Sequence, residues 1–166
     1  MTPGNTGEDH AMAIVMETTI AARMADASDI AAEIGRLAGA ELGDIAGVQV
    51  HLGVMESLTN IIRHGYRHAE DGRIAIRSES DAQGWSIAIT DQGQPIPPDC
   101  LEAADGSVFD FDPDSLDEVP TGGMGLTLMR TVFDQVDYAC LPEGNRLLLV
   151  RSRSPLGTAG GDAAGA

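Results

Sequence analysis

The sequence contains no lysine, so its positive charge comes from ten arginines alone. A chain without lysine has neither a lysine nucleophile nor the lysine of a P-loop, and mechanisms that need either one are excluded. Against the arginines stand 26 Asp and Glu residues, which give a formal net charge of −16. This charge disfavours non-specific attraction to nucleic acid or to an anionic membrane surface. We therefore expect no direct binding to either.

Aromatic residues are scarce at 4% of the chain, which predicts a core built from Ala, Val, Ile, Leu and Met. The two cysteines, Cys100 and Cys140, lack metal-ligand spacing, so we predict two reduced thiols. No stretch approaches the roughly 18 apolar residues that a membrane helix needs. With 166 residues, the chain is long enough for one domain. The sequence thus predicts a soluble, cytoplasmic, single-domain protein.

The domain is predicted to span residues 11–153, between disordered tails at 1–10 and 154–166 that are rich in Gly, Ala and acids. A strand is predicted within residues 11–24. A helix capped by Asp26 or Ser28 should follow and run through Leu42, with Gly43 as its stop signal. A second helix should begin at Asp44, with a buried stripe formed by Val48, Leu52, Met55, Thr59 and Ile62.

Alternating apolar residues predict two strands, 73–78 and 85–90, joined by a hairpin turn at Asp81–Gly84. Residues 91–121 carry five prolines and many acids, and a loop of this length within a compact domain is usually functional. Beyond it, a helix is predicted from an apolar stripe of Leu126, Met129, Val132, Phe133 and Val136, and strands are predicted at 136–141 and 146–151. This order fits an α+β, two-layer sandwich with helices on one face of a mixed, mainly antiparallel sheet.

Three polar residues of the second helix, Glu56, Asn60 and His64, recur every four residues and should share one helix face. A glutamate can take a proton from an attacking hydroxyl, and an asparagine oxygen can bind a hard cation such as Mg²⁺. A solvated polar face gives the same spacing. For His64, packing at the helix end competes with a place near bound phosphates.

Two later motifs add to this helix. Thr90-Asp91-Gln92-Gly93 ends an alternating segment, and Thr121-Gly-Gly-Met-Gly-Leu126 opens a helical one. An ordinary Asp-x-Gly turn and a glycine hinge are the alternatives for each motif taken alone. A glycine-rich helix start can also bind phosphate through its N–H groups without a lysine.

With GVMESLTNIIRHGY, DQGQP and GGMGLTLMRTVFDQVDY in this order, the chain resembles the ATP-binding superfamily of gyrase, MutL and the histidine kinases. Within it, the sequence looks most like the anti-sigma factor serine kinases. The resemblance implies the Bergerat fold and the cofactors ATP and Mg²⁺, with Glu56 as general base and Asn60 as metal ligand. It also implies that Asp91 and Gly93 bind adenine. The implied phosphate-binding residues are Gly122, Gly123, Met124, Gly125 and Leu126.

The same resemblance implies a serine/threonine kinase that phosphorylates a STAS-type anti-sigma factor antagonist and holds a sigma factor or equivalent target inactive. Family members commonly dimerise, so a homodimer is also an expectation. No basic residue occurs between Arg77 and Arg130, and Val119-Pro-Thr121 stands where many relatives carry an arginine. This departure favours a second hypothesis, an ATP-binding regulatory module with little kinase activity. A detached histidine-kinase ATPase domain is a third hypothesis, which Glu56 disfavours.

Overall fold

The computed structural model describes residues 12–96 and 124–153. The described strands are β1 (Ala13–Ala21), β2 (Arg73–Ser80), β3 (Gly84–Asp91), β4 (Gln135–Leu141) and β5 (Gly144–Ser152). The described α-helices are α1 (Met24–Leu42), α2 (Asp44–Asn60) and α3 (Met124–Val132), and a π-helical segment, Ile61–Gly65, continues α2. No described helix is long and apolar enough to cross a membrane.

The strands form one sheet in the order β1-β2-β3-β5-β4, and each described pairing is antiparallel. Residues at every second position of a strand point to the same side of the sheet, and the inward positions carry most of its apolar residues. These residues merge with the buried sides of the helices into one core. The α+β fold with helices on one face is confirmed, whereas the mixed character is not found among the described pairings. Inward core residues of the sheet are Ile74, Ile76, Trp85, Ile87, Ile89, Leu147 and Leu149.

The turn between β2 and β3 is held by Asp81, as the sequence predicts. Its Oδ1 accepts hydrogen bonds from the backbone N–H groups of Gln83 at 2.7 Å and Gly84 at 2.9 Å. A short acidic side chain that satisfies two turn amides fixes the register of both strands. In the separate pairing of β3 with β5, Asp91, the last residue of β3, lies opposite Asn145.

Helix α1 begins earlier than predicted. It starts at Met24, the residue before it is Arg23, and no side chain caps its N-terminus. The predicted caps at Asp26 and Ser28 are therefore wrong: both residues lie inside the helix, and Asp26 forms an ion pair with Arg23 at 2.8 Å. The predicted stop is confirmed, because Gly43 has φ +94°, a conformation that favours glycine.

The predicted buried stripe of α2 is partly wrong. Thr59 and Ile62 are buried, but Val48 and Leu52 are 60% and 50% exposed. The helix instead turns small residues towards α1: a Cβ added at Gly47 would lie 2.6 Å from the Cα of Gly39. This close approach rotates α2 so that its core side is formed by Val50, Val54 and Leu58. Helix α2 carries apolar residues on all sides, so their periodicity could not identify the inward side.

Several predictions concern residues outside the described ranges, namely both tails, Cys100 and most of the loop 91–121. Cys140 lies in β4 as a free, exposed cysteine. The final helix is shorter than the predicted apolar stripe, because α3 ends at Val132 and Val136 belongs to β4. The last two strands are confirmed, each beginning slightly earlier than predicted.

Candidate nucleotide-binding site

The C-terminal half of α2 carries Glu56 and Asn60, both half-buried and one turn apart. Within the described part of the chain, neither side chain makes a hydrogen bond or ion pair. The neighbouring Ser57 faces inward, with its hydroxyl oxygen 2.8 Å from the Gly53 carbonyl oxygen and 2.7 Å from the Met129 sulfur, so its single hydrogen can be donated to either of them. The helix is thus anchored on its inner side, while its polar pair remains available to bind a ligand.

His64 does not continue the α-helical spacing of that pair. It lies, exposed, in the π-helical segment, where the Tyr66 N–H bonds to the Ile61 carbonyl five residues earlier. A π turn is wider than an α turn, so a four-residue spacing no longer lines up side chains. The prediction that all three polar residues share one face therefore holds only for Glu56 and Asn60.

The end of the π segment touches the DQG motif. The Gln94 N–H donates to the Gly65 carbonyl at 2.8 Å, and a Cβ added at Gly93 would lie 2.7 Å from the Gly65 carbonyl carbon. Only glycine at position 93 allows this backbone contact without displacement. The helix that carries Asn60 and the DQG motif are thus in direct contact. Gly65 lies five residues after Asn60, and Gly93 lies two residues after Asp91, so the contact is close to both functional residues.

Asp91 is buried, with 5% of its surface exposed, at the end of β3. Its Oδ1 accepts hydrogen bonds from the Gly93 N–H at 2.7 Å and from the Asn145 amide at 3.1 Å. The Gly93 bond is the ordinary Asp-x-Gly turn that the sequence allowed as the alternative. That turn uses only one carboxylate oxygen, and no described residue donates to Oδ2. The turn and a ligand-binding role are therefore compatible.

Two tyrosines hold the segment after Asp91. The Tyr66 hydroxyl donates to the Arg73 carbonyl at 2.6 Å and accepts from the Gln92 N–H at 2.9 Å. The Tyr138 hydroxyl accepts from the Ile96 N–H at 2.9 Å. Burial raises the pKa of the Tyr138 hydroxyl above its ordinary value. Both ends of this segment are therefore attached to the sheet or to the end of α2.

The glycine-rich motif is described only in part. Met124, Gly125 and Leu126 form the first turn of α3, whereas Gly122 and Gly123 lie outside the described residues. Helix α3 packs on α2, since the Met129 sulfur contacts the Ser57 hydroxyl, and Phe133, the residue after α3, lies against Gly53. The third motif is thus attached to the helix that carries Glu56 and Asn60.

Sequence reasoning missed Asn145 and the two tyrosines. Asn145 lies just before the predicted strand 146–151, but in the structure it belongs to β5 and is 5% exposed. The signal was present: residues 145, 147 and 149 share one face of an alternating strand, and the other two are buried leucines. A polar residue on a core-facing register needs a partner inside. No comparable pattern indicates that Tyr66 and Tyr138 hold the Asp91 segment.

The residues present fit a magnesium ion held mainly by a nucleotide. The described residues contain no group of three or more His, Cys, Asp and Glu that could bind a metal on its own. The Asn60 oxygen is a hard ligand without a hydrogen-bond partner among residues 12–96 and 124–153, and Mg²⁺ is commonly bound by one or two side chains together with substrate phosphates. Asn60 would therefore hold the ion jointly with the phosphates.

A helix-covered antiparallel sheet with Glu56 and Asn60 on one helix and Asp91 at a strand end defines an ATPase-like domain. Residues 17–151 match the family of the histidine kinase-like ATPase domain, and the chain belongs to this family. The superfamily resemblance seen in the three motifs is thereby confirmed.

The relatives that match the chain have more specific names than the family. The chain is 36% identical to the anti-sigma F factor of Clostridium beijerinckii over 88 residues, which cover 53% of this chain and 57% of that protein. It is 37% identical to the anti-sigma F factor of Clostridium botulinum over 87 residues, 51% of this chain and 55% of that protein. The serine-protein kinase RsbW of Bacillus subtilis is 28% identical over 86 residues, 51% of this chain and 52% of that protein. The chain thus spans about half the length of the curated relatives it matches.

Proposed function

We propose that the chain is a serine/threonine protein kinase that uses Mg-ATP and also acts as an anti-sigma factor. The observation that carries this proposal is the pair Glu56 and Asn60, one turn apart on α2 and without a protein partner among the described residues. The contact between Gly65 and Gly93 joins this helix to Asp91. A base, a cation ligand and an adenine acceptor are thus attached to one framework.

Each residue has a separate role in the proposal. Asp91 accepts a hydrogen bond from the adenine amino group, and Gly93 lets the base approach the backbone. Asn60 binds the magnesium ion, which supplies neutralisation of phosphate charge. The N-terminal turn of α3, with Met124, Gly125 and Leu126, and the preceding Gly122 and Gly123 offer backbone N–H groups to the phosphates.

Glu56 is the proposed general base for the transfer. The oxygen of a substrate hydroxyl bonds to the terminal phosphorus as the bond from that phosphorus to ADP breaks, and the hydroxyl proton passes to the Glu56 carboxylate. Phosphoryl transfer depends mainly on positioning and electrostatic stabilisation, so one base and one cation are sufficient equipment. The carboxylate makes no described hydrogen bond that would compete for this proton.

The proposed substrate is a STAS-type anti-sigma factor antagonist, and the proposed second partner is a sigma factor or an equivalent target. The names of the relatives support this assignment, since they are called anti-sigma F factor and serine-protein kinase. A cytoplasmic location and a homodimer remain predictions that accompany it.

The test is phosphoryl transfer from labelled Mg-ATP to an antagonist encoded beside this gene. We expect label on a single serine or threonine of the antagonist, and none when that residue is replaced by alanine. ATP binding without any transfer to the antagonist would contradict the kinase assignment.

A second candidate is an ATP-dependent binding module that transfers phosphate poorly. It is favoured by the lack of any basic residue between Arg77 and Arg130, because phosphoryl transfer is commonly assisted by a cationic side chain. For this candidate, ATP should still strengthen binding to the sigma factor. The test is to titrate the protein with the sigma factor in the presence of ATP, of ADP and of no nucleotide. ATP-strengthened binding together with little phosphate transfer to the antagonist would favour the binding module over the kinase.

A further inference from the structure

Asn145 is a buried polar residue on the helix-covered face of the sheet. It lies in β5 directly opposite Asp91 of β3, and both residues are 5% exposed. A carboxamide carries two N–H hydrogens and an acceptor oxygen, and burying it is costly unless these groups are bonded. The bonds that Asn145 makes therefore indicate its role.

Both amide hydrogens of Asn145 are used at the DQG motif. The Nδ2 atom donates to Asp91 Oδ1 at 3.1 Å and to the Gly93 carbonyl at 2.9 Å. Because both neighbours are acceptors, the atom facing them must be the amide nitrogen rather than the oxygen. One side chain thus connects the carboxylate to the backbone two residues later.

These bonds determine which oxygen of Asp91 is available. Oδ1 receives two donors, the Gly93 N–H at 2.7 Å and Asn145 Nδ2, while no described residue donates to Oδ2. A carboxylate held through one oxygen keeps a fixed orientation and presents the other oxygen as an acceptor. The Asp91 carboxylate is therefore aligned before any ligand arrives.

The chemistry of residue 145 matters as much as its position. A hydroxyl has one hydrogen and cannot donate to both acceptors at once. A carboxylate would place negative charge against Asp91 and against a carbonyl oxygen. Of these side chains, only a carboxamide supplies two planar N–H groups to both acceptors.

We infer that Asn145 is a positioning residue that aligns Asp91 for a purine carrying an exocyclic 6-amino group. The inference rests on the proposed ATP-binding function and adds a determinant of base selectivity to it. Asn145 acts through Asp91 and Gly93, so its loss reduces preference for the amino group rather than binding of the sugar and phosphates.

The test compares ATP with purine riboside 5′-triphosphate, which lacks the 6-amino group. Dissociation constants are measured by calorimetry with Mg²⁺ for the wild type, Asn145→Ala and Asn145→Asp, with Gln83→Ala as a matched control for an exposed amide in the hairpin turn. We expect the wild type and the control to prefer ATP by about tenfold or more, the worth of a buried hydrogen bond.

For Asn145→Ala we expect ATP affinity to fall by about tenfold while affinity for the analogue is unchanged. Asn145→Asp keeps the shape of the side chain and should lose at least as much selectivity. An unchanged ratio in both variants, or an equal loss for both nucleotides in the variants that fold, overturns the positioning role alone. A wild type that binds neither triphosphate overturns the proposed function together with it.

Discussion

The two halves of the candidate site are built differently. At the end of β3, Asp91 is buried and bonded to Gly93 and Asn145, and the following segment is held by two tyrosine hydroxyls. On α2, Glu56 and Asn60 are half-buried and have no hydrogen-bond partner in the described part of the chain. The β3 end holds its carboxylate through Oδ1 and leaves Oδ2 as the acceptor, whereas the pair on α2 has no described hydrogen-bond partner.

This difference assigns separate tasks to the two halves. A prearranged acceptor costs little reorganisation when a base binds, so the β3 end suits recognition. On the firmly packed α2, oxygen atoms without a partner in the described part of the chain suit the proposed tasks of holding a cation and accepting the proton that moves during phosphoryl transfer. Substitutions at the β3 end should therefore change nucleotide affinity, and substitution of Glu56 on α2 should change the transfer step.

The largest effect should come from Glu56→Gln on α2. We expect phosphoryl transfer to the antagonist to fall by roughly two to four orders of magnitude, because the amide cannot accept the hydroxyl proton. ATP affinity should stay within about twofold of the wild type, since the shape of the side chain is retained. Single-turnover transfer of labelled phosphate measures the first quantity and calorimetry the second, with Glu70→Gln in the exposed turn as control. Equal transfer rates would leave Glu56 without a role as a base.

Asp91→Ala should have the next largest effect, and on binding rather than transfer. Removing this carboxylate takes away the acceptor of the Gly93 N–H and of one Asn145 N–H. It also removes the proposed acceptor for the adenine amino group. We expect ATP affinity to fall by about ten- to a hundredfold, corresponding to the loss of buried hydrogen bonds. Calorimetry with Asp71→Ala, an exposed acid in the turn before β2, as control checks this. Wild-type affinity in Asp91→Ala would remove the base-binding assignment.

Gly93→Ala probes the contact between the halves. The added Cβ would meet backbone atoms of Gly65 at 2.7 to 2.9 Å, and these cannot move aside as a flexible side chain can. We expect a loss of about 1–3 kcal/mol in the free energy of unfolding, together with weaker ATP binding.

Gly39→Ala in α1 is its control, because there the added Cβ would lie at an ordinary 3.4 Å from Gly47 and alanine favours a helix. Urea unfolding of both variants measures the difference. A Gly93→Ala protein as stable as the wild type would show that Gly65 and Gly93 need not touch.

The smallest effect concerns Glu41, in the last turn of α1 and outside both halves. The Ser80 hydroxyl, with a smaller contribution from Arg153, lowers the pKa of the Glu41 carboxyl despite partial burial. A lowered folded-state pKa gives stability that is present above the unfolded pKa of about 4.3 and is lost as pH falls through the lowered value. Because the pair is partly exposed, we expect less than about 1 kcal/mol.

Urea unfolding of Glu41→Gln and the wild type checks this at neutral pH and about one unit below the unfolded pKa. The difference in unfolding free energy between the two proteins should be largest at neutral pH and should shrink in acid. A difference that persists in acid would indicate that Glu41 stabilises the fold through packing alone.

Sequence reasoning worked best where local chemistry decides the structure. Gly43 ends α1 with a positive φ, and Asp81 forms the hairpin turn, because each depends only on residues nearby. It failed where tertiary contacts decide. The side of α2 that faces inward depends on the approach of Gly47 to Gly39, which no periodicity reveals.

The candidate site divides in the same way. Glu56, Asn60, Asp91 and Gly93 were predicted from motifs; the first three lie on α2 and β3, and Gly93 follows β3 by two residues. Asn145 became visible only when strand pairing placed it opposite Asp91, more than fifty residues away in sequence. A cross-strand partner of this kind depends on register, which the sequence specifies only through the whole sheet.

The π-helical segment determines how long the chain must be between Asn60 and Gly65. Each backbone hydrogen bond of a π-helix spans five residues, one more than in an α-helix. Deleting one residue from Ile61–Gly65 would let the helix revert to regular α geometry, and the Gly65 carbonyl would then turn away from the Gln94 N–H that it accepts at 2.8 Å. The extra residue thus fixes how the end of the helix is rotated relative to the end of β3. A protein shortened there should keep its core but lose the alignment of the two halves of its candidate site.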